Sequence, residues 1–441
     1  MRVEKDSIGA RDIDDEKYYG IHTLRALENF NIKNTKRVNS ELIKSITLVK
    51  GAAAITNNKI KKLSDEKKNA ILDAVEKITN KLYSNKVLFP LPAIQGGAGT
   101  STNMNVNEVI ANLGLEYMGK NKGEYEFLDP IEDVNLSQST NDVYPTAVKI
   151  TVIRLLKELV EEVKNLQEEL QKKEDEFATI KKIGRTQLQD AVKITLGQEF
   201  GAYGEVISRD RWRLYKIEER IRMVNIGGTA IGTGIASSIE YRAQITSEIQ
   251  RITGLGIARA ENLIDNTQNL DVFVEVSGLL KTLAVSLNKI ANDLRWMSSG
   301  PYGGLNEINL KKLQMGSTIM PEKVNPVGAE HMRQIYYRVV ANDLTITQAS
   351  TDGEFELNSN LPIIAESILE TIELLRDGIS LFRKNVICEI TVNKEHIEKI
   401  LNSVPTRLSE EIGQYGYNKV AEMIRKEKLN CKIYLPKMDS H

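Results

Sequence analysis

One loop of the chain combines hydroxyl groups with a single cation. The segment GSTIMPEKVNP, residues 316–326, places Ser317 and Thr318 close to Lys323 and ends on Asn325 and a proline. Hydroxyl and amide groups donate hydrogen bonds, and the lysine ammonium group supplies a full positive charge. Groups of these types at this spacing suit the binding of a small dianion.

Three further segments interrupt the helical pattern with small polar residues. They are GGAGTSTNMNVNEVIAN at 96–112, SQSTNDVYPT at 137–146 and GRTQLQDA at 184–191. Each places Thr, Ser or Asn where a helix is expected to begin, so any one of them could serve only as a helix cap. Helix N-termini with neighbouring hydroxyls also bind carboxylates. The four segments together therefore indicate a dianion site, and none of them is a GxxxxGK[ST] phosphate loop.

Composition excludes several other classes of protein. The net charge of the 441-residue chain is −1, so no bulk field attracts nucleic acid or an anionic membrane. Two cysteines make no disulfide framework, and four histidines without ligand spacing make a metal site unexpected. The first twenty residues lack the apolar core of a signal peptide, and no run of apolar residues is long enough to span a membrane. We expect a cytoplasmic protein.

Helical periodicity dominates the elements that must position the four segments. Apolar residues recur in heptad rhythm at Leu156, Leu159, Val163, Leu166 and Leu170. The stretch 270–297 is apolar on more than one face, which is typical of a helix buried among other helices. The pattern predicts an all-α chain with a mostly helical N-terminal domain (1–138), a central long-helix bundle (139–391) and a small C-terminal helical domain (392–441). Such helices favour packing between subunits, and a monomeric bundle is the alternative.

The loop at 316–326 resembles the signature GSxxMPxKxNP of the aspartase/fumarase superfamily. The other three segments match in the family's order, from VEKDSIG and YYGIHTLRALENF to about residue 400. In the third segment fumarases have the motif GRTHxQDA, with a histidine where this chain has Gln187. Fumarases also have an HPND-type stretch before the second segment, where this chain has Asp129 and Ile131. These positions favour the aspartate ammonia-lyase branch. A fumarate hydratase, a lyase of a substituted aspartate or amine, and a non-catalytic dicarboxylate-binding tetramer are the alternatives.

The resemblance implies reversible elimination of ammonia from L-aspartate to give fumarate, with Ser317 as the base and an aci-carboxylate, a dianionic enediolate, as the intermediate. It implies hydrogen-bond donors for the β-carboxylate at Thr100, Ser139, Thr140 and Thr318. It assigns the α-carboxylate to Lys323, Asn325 and Thr186, and the amino group to Asn141 and Gln187. This chemistry requires no cofactor, and although some members of the family respond to a divalent metal, the sequence shows no cluster of metal ligands. It also implies a homotetramer with a twenty-helix core, in which three subunits contribute to each active site.

Several positions depart from the family pattern. Glu322 stands where a small residue is usual, and the remaining departures are Tyr302 for arginine, Ala236 for asparagine, Leu361 for glutamate and Lys193 for proline. They leave the carboxylate-binding set intact, so we expect slower turnover rather than a different reaction. In an extended loop, alternate side chains point in opposite directions. If Lys323 points into the site, Glu322 is expected to face solvent.

Overall fold

Helices make up most of the structure, a computed structural model that describes residues 1–430. In this part of the chain the α-helices are α1 Ile21–Asn29, α2 Ser40–Lys59, α3 Asp65–Lys77, α4 Thr100–Tyr117, α5 Thr140–Glu176, α6 Leu196–Ile221, α7 Ile239–Thr253, α8 Asp265–Gln268, α9 Asp271–Met297, α10 Val327–Thr351, α11 Leu361–Phe382, α12 Lys394–Ser403, α13 Ile412–Tyr415 and α14 Tyr417–Asn430. The prediction of an all-α chain is confirmed.

Strands occur only as short pairs in the described residues. They are β1 Arg2–Asp6, β2 Gly9–Ile13, β3 Lys181–Thr186, β4 Gln189–Thr195, β5 Met223–Val224, β6 Ala258–Arg259, β7 Ile308–Asn309 and β8 Thr391–Val392. The pairs are β1–β2, β3–β4, β5–β6 and β7–β8, of which β5–β6 is parallel and the others are antiparallel. Only the β3–β4 hairpin carries predicted site residues.

The heptad positions of α5 form its core-facing stripe. Leu156, Leu159, Val163, Leu166 and Leu170 are all buried, as the sequence predicts. Removing such side chains from water supplies roughly 1.5–3 kcal/mol each, and this burial holds the long helix in place. Helix α9 is apolar around much of its circumference for the same reason, with its central leucines and isoleucine fully buried.

The chain forms two compact units, each assembled from three segments. Unit 1 contains Met1–Val160, Arg213–Thr282 and Arg338–Leu374, and unit 2 contains Glu161–Trp212, Leu283–Tyr337 and the described residues from Leu375 to Asn430. In unit 1, α2 packs against α3, α4 and α7. In unit 2, β3 packs against α12. The domain boundaries at 138/139 and 391/392 remain a prediction, and residues 431–441 of the predicted C-terminal domain lie outside the described residues.

The sequence predicts that no segment of the chain is long and apolar enough to span a membrane. Within residues 1–430, each helix is too short or too polar to cross a bilayer.

Candidate active site

The first polar segment leads into helix α4 through two glycines in left-handed conformation. Gly97 has φ 86° and Gly99 has φ 93°, and α4 begins at Thr100. A Cβ at Gly99 would lie 2.5 Å from the buried ring of Tyr144 on α5, so only glycine allows this approach. Thr100 itself is exposed, and its hydroxyl makes no hydrogen bond within the described residues. Its position leaves it accessible to a ligand.

The second segment caps helix α5 reciprocally. The Ser139 backbone N–H donates to Asp142 Oδ1 at 3.0 Å, and the Asn141 N–H donates to Ser139 Oγ at 3.2 Å. Thr140 is buried, and its Oγ1 accepts a hydrogen bond from Asn103 Nδ2 at 3.1 Å. Because Asn103 belongs to the first segment, unit 1 brings the first two predicted segments together.

Asn141 and Asp142 attach the second segment to a glycine-rich turn. Asn141 Nδ2 donates to the Ala230 carbonyl at 2.7 Å, so one of its two amide N–H groups is used within the chain, whereas its Oδ1 accepts no hydrogen bond within the described residues. Asp142 Oδ2 accepts from the backbone N–H groups of Gly227 and Thr229 at 2.9 and 3.0 Å. Burial raises the pKa of Asp142 to about 6, against the lowering effect of these hydrogen bonds. Asp142 therefore has a structural role, because it connects the start of α5 to the turn that contains Gly227 and Thr229.

The third segment does not begin a helix, and that part of the prediction is wrong. It forms the turn of the β3–β4 hairpin, where Gln187 and Leu188 have φ 53° and 61°. Two consecutive residues at positive φ match the twist of a tight antiparallel hairpin. Thr186 and Gln187 consequently lie at an exposed tip rather than at a helix N-terminus.

A buried charge network lies at the base of this hairpin and was not found from the sequence. Lys182 Nζ lies 2.8 Å from Glu307 and 2.8 Å from Glu199, and Arg185 Nη1 lies 2.8 Å from Glu307. Glu307 is 1% exposed, so loss of either cation would leave a buried carboxylate under-compensated. The network fixes the position of Arg185, the residue that precedes Thr186.

The loop at 316–326 is closed at its neck by backbone and amide contacts. The Gly316 N–H donates to the Lys323 carbonyl at 2.8 Å, and Asn325 Nδ2 donates to the Gly316 carbonyl at 2.9 Å. A Cβ at Gly316 would lie 2.8 Å from the Lys323 carbonyl oxygen, so the neck requires glycine. Asn325 therefore has a structural contact in addition to the ligand contact predicted for it.

Two backbone donors converge on Ser317. Its Oγ accepts hydrogen bonds from the N–H groups of Ile319 at 3.1 Å and Met320 at 2.9 Å. Such donors also occur in ordinary serine turns. They are nevertheless the groups that would stabilise a negative charge on the serine oxygen. Ser317 is half-buried, whereas Thr318 and Lys323 are exposed.

Glu322 has a backbone conformation that the alternation argument did not anticipate. Its φ of 64° is left-handed, and both Glu322 and Lys323 are exposed. The expectation that Glu322 faces solvent agrees with its exposure, but the assumed extended backbone is wrong at this residue. A side chain other than glycine or asparagine is strained in this region by about 1–2 kcal/mol.

A cavity of about 540 Å³ lies in unit 1. Its lining includes Lys36, Arg37 and Tyr83 together with Glu366 and Glu370. Lys36 is ion-paired with both glutamates, so its charge is already compensated within the chain. None of the predicted site residues lines this cavity. Cavity size alone therefore does not locate the dianion site.

The predicted residues divide between the two units. Unit 1 carries Thr100, Ser139, Thr140 and Asn141, and unit 2 carries Thr186, Gln187, Ser317, Thr318, Lys323 and Asn325. Unit 1 supplies hydroxyl donors, whereas unit 2 supplies the cation and the serine whose oxygen receives two N–H groups. The assignment of each residue to substrate or catalysis remains a prediction.

Comparison with known proteins gives consistent results over almost the whole chain. A family model described as Lyase matches residues 9–341. The chain is 47% identical to the aspartate ammonia-lyase of Helicobacter pylori, covering 97% of this chain and 91% of that protein. It resembles the fumarate lyase:delta crystallin of Brucella melitensis in its cobalt-bound crystal structure, with a TM-score of 0.93, 42% identity and coverage of 97% and 93%. The class II fumarase of Schistosoma mansoni has a TM-score of 0.91, 30% identity and coverage of 98% and 96%.

Proposed function

Because the chain belongs to the lyase family and to the aspartase/fumarase superfamily, we propose that it catalyses reversible elimination of ammonia from L-aspartate to give fumarate. It is a carbon–nitrogen lyase. The observation that carries this assignment is the similarity to an aspartate ammonia-lyase over nearly the full length of both chains. The fumarase is also similar in fold, but its sequence identity is lower.

The reaction begins with proton removal from the carbon next to the β-carboxylate. This C–H is weakly acidic, so the base must be strong and the new negative charge must be stabilised as it forms. Ser317 is the proposed base. The N–H groups of Ile319 and Met320, which already point at its Oγ, lower the cost of an oxyanion there. Ser317 Oγ, as the oxyanion, takes the proton and becomes a neutral hydroxyl, and the electron pair of the C–H bond enters the carboxylate as an enediolate.

The growing charge is placed on the oxygens of the β-carboxylate. Thr100, Ser139, Thr140 and Thr318 are the proposed hydroxyl donors there. Lys323, with Asn325 and Thr186, binds the α-carboxylate, whose charge does not change. Asn141 Oδ1 and the Gln187 side chain contact the ammonium group. Collapse of the enediolate then expels ammonia, which needs little help from an acid because the amine is already protonated.

A subunit arrangement completes the site in this proposal. Large apolar side chains are exposed along single faces of the long helices: Trp212 and Tyr215 on α6, Val285 and Trp296 on α9, and Tyr337, Val340 and Leu344 on α10. Spacings of three, four, seven or eleven residues keep each set on one helix face. Such apolar stripes on several long helices support packing against other subunits. We propose a homotetramer with a twenty-helix core and active sites shared between three subunits; a cytoplasmic location remains a prediction.

The function is tested by following the ultraviolet absorbance of the fumarate double bond. We expect absorbance to rise when L-aspartate is added to the purified protein, and to fall when ammonia and fumarate are mixed with it. L-malate is the matched control, because a hydratase would form fumarate from it. Release from malate but not from aspartate would transfer the assignment to a fumarate hydratase.

Glu322 provides a second test, which concerns loop closure. Glycine adopts the left-handed backbone of this position without strain, whereas alanine does not. We expect Glu322→Gly to raise kcat modestly, by about two- to threefold, and Glu322→Ala to leave it nearly unchanged. Steady-state kinetics with aspartate measures both variants. A large fall in kcat for either variant would show that the Glu322 carboxylate takes part in the reaction, and would favour a substrate with an additional cationic or hydrogen-bonding group.

A further inference from the structure

A run of buried asparagines on α4 lies beneath the second polar segment. Asn103 and Asn107 are each 1% exposed or less and lie one turn apart. Both donate from Nδ2 to the same acceptor, Asn135 Oδ1, at 3.2 and 3.1 Å. They differ in their second contact, because Asn103 also donates to Thr140 Oγ1 at 3.1 Å, whereas Asn107 also donates to Met104 Sδ at 3.5 Å. Asn107 has no corresponding contact with Thr140 within residues 1–430.

The contact from Asn103 determines what the Thr140 hydroxyl can do. A hydroxyl group has one hydrogen to donate and lone pairs with which to accept. Since Asn103 donates to Thr140 Oγ1, that contact does not use the hydroxyl hydrogen. Within the described part of the chain, Thr140 Oγ1 donates no hydrogen bond. Its hydrogen therefore remains available for an acceptor outside the chain, such as a carboxylate oxygen.

A buried cation lies at the other end of the same network. Lys50 on α2 is fully buried, and its Nζ donates to Asn135 Oδ1 at 2.7 Å. No carboxylate in residues 1–430 lies within ion-pair distance of Lys50. Burial lowers the pKa of Lys50 to about 7, and the charge of Asp142 acts in the opposite direction. An ammonium group can only donate, so Lys50 requires Asn135 to present its amide oxygen, and Asn103 must then present its amide N–H groups to that oxygen and to Thr140.

We propose that Asn103 is a positioning residue for the elimination reaction, holding the Thr140 hydroxyl as a donor to the carboxylate on which negative charge grows. Asn135 and Lys50 fix the Asn103 amide in the required orientation. The inference rests on the proposed function, because it assigns Thr140 to the β-carboxylate. A donor fixed in advance costs no reorganisation when the charge develops, so its effect falls mainly on the transition state.

The matched pair Asn103→Leu and Asn107→Leu tests the proposal. Each variant removes one buried donor to Asn135 Oδ1 from the same helix, but only the first loses the contact with Thr140. We expect Asn103→Leu to lower kcat by about 100-fold, with KM for aspartate changed by less than about threefold. Asn107→Leu is expected to lower kcat by less than about threefold. Equal kcat values for the two variants, at equal folded fractions, would overturn the proposal.

Asn103→Asp is a second variant, which reverses the polarity of the contact. A carboxylate at position 103 has a charge opposite to that of Lys50, which shares the acceptor Asn135 Oδ1 with Asn103, but it can only accept a hydrogen bond from Thr140. The Thr140 hydrogen would then turn away from the substrate. We expect kcat to fall at least as far as in Asn103→Leu. Activity within about threefold of the wild type would contradict the orientation argument.

Ligand binding separates this inference from the proposed reaction. The nitronate form of 3-nitropropionate carries its extra negative charge on two oxygens at one end, as an aci-carboxylate does, whereas succinate is an ordinary dicarboxylate. In calorimetric titrations, Asn103→Leu should lose affinity for the nitronate by about the same 100-fold factor while its affinity for succinate changes little. Unchanged nitronate affinity would refute the role of Asn103. Absence of fumarate formation by the wild type would refute the proposed function alone, because the two titrations would still decide the role of Asn103.

Discussion

Replacement of Ser317 by alanine is expected to lower kcat for aspartate elimination by about three decades or more, while the protein stays folded. The reason is that the variant loses the proton acceptor together with the oxygen on which two backbone N–H groups converge. The loop neck, formed by Gly316, Lys323 and Asn325, does not involve the serine side chain and should persist. Steady-state kinetics and thermal unfolding of the same preparation measure the two effects.

Ser403→Ala is the control for this prediction. Ser403 also lies in unit 2, and its hydroxyl donates to the backbone carbonyl of Ile400, in a hydrogen bond that involves no predicted site residue. Its replacement should leave kcat unchanged within about twofold. Turnover by Ser317→Ala at the wild-type rate would remove Ser317 from the mechanism and reduce its two N–H contacts to an ordinary serine turn.

Complementation between inactive variants connects this prediction with the proposed subunit arrangement. Ser317→Ala and Thr140→Ala remove groups from different predicted segments, and in the proposed tetramer one active site takes these segments from different subunits. Mixed tetramers should therefore contain some sites with both groups intact. We expect co-expression of the two variants to restore measurable activity that neither variant has alone. Failure of mixed tetramers to recover activity would argue against shared sites.

The sequence predicted the long elements of the fold better than it predicted their connections. The heptad leucines of α5 fixed one buried stripe, because a regular apolar period leaves few alternatives for a long helix. The hairpin at Gln187 and Leu188 was missed, since neither residue is one of the Gly, Asn or Asp residues that usually mark a two-residue turn. Tertiary pairing of the flanking strands imposes the positive φ values there, and no local sequence signal announces it.

The buried polar contacts were missed for a different reason. Arg185 and Glu307 form an ion pair across a long separation in sequence, and a single sequence contains no record of such pairing. The asparagines of α4 gave a signal that could have been used. Amides at Asn103 and Asn107, which alternate with Met104 and Val106 on a helix that packs into the core, must find buried partners, because an unpaired buried amide is costly. The burial of Lys50 could not be predicted, since the sequence does not distinguish this lysine from the many exposed ones.

The second large effect is expected at Lys323, and it differs in kind from that at Ser317. In the proposed mechanism Lys323 binds the α-carboxylate, whose charge is the same in the substrate and in the transition state. An interaction of this type contributes equally to both, so its loss raises KM more than it lowers kcat. Lys323→Ala should weaken binding of aspartate and succinate by about 2–4 kcal/mol, or roughly 30- to 1000-fold, because a desolvated carboxylate is left without its cation.

Calorimetric titration with succinate measures this loss directly, and Lys312→Ala is the matched control. Lys312 is an exposed lysine shortly before the loop and is not one of the predicted binding residues, so its removal tests whether general positive charge in this region is enough. We expect its effect on the dissociation constant to stay within about threefold, since exposed charges in water interact weakly. If both variants weakened binding equally, the positive charge would act only by long-range attraction. If Lys323→Ala bound succinate as tightly as the wild type, the α-carboxylate would have to be held by another cation, and the assignment of the loop to that carboxylate would fail.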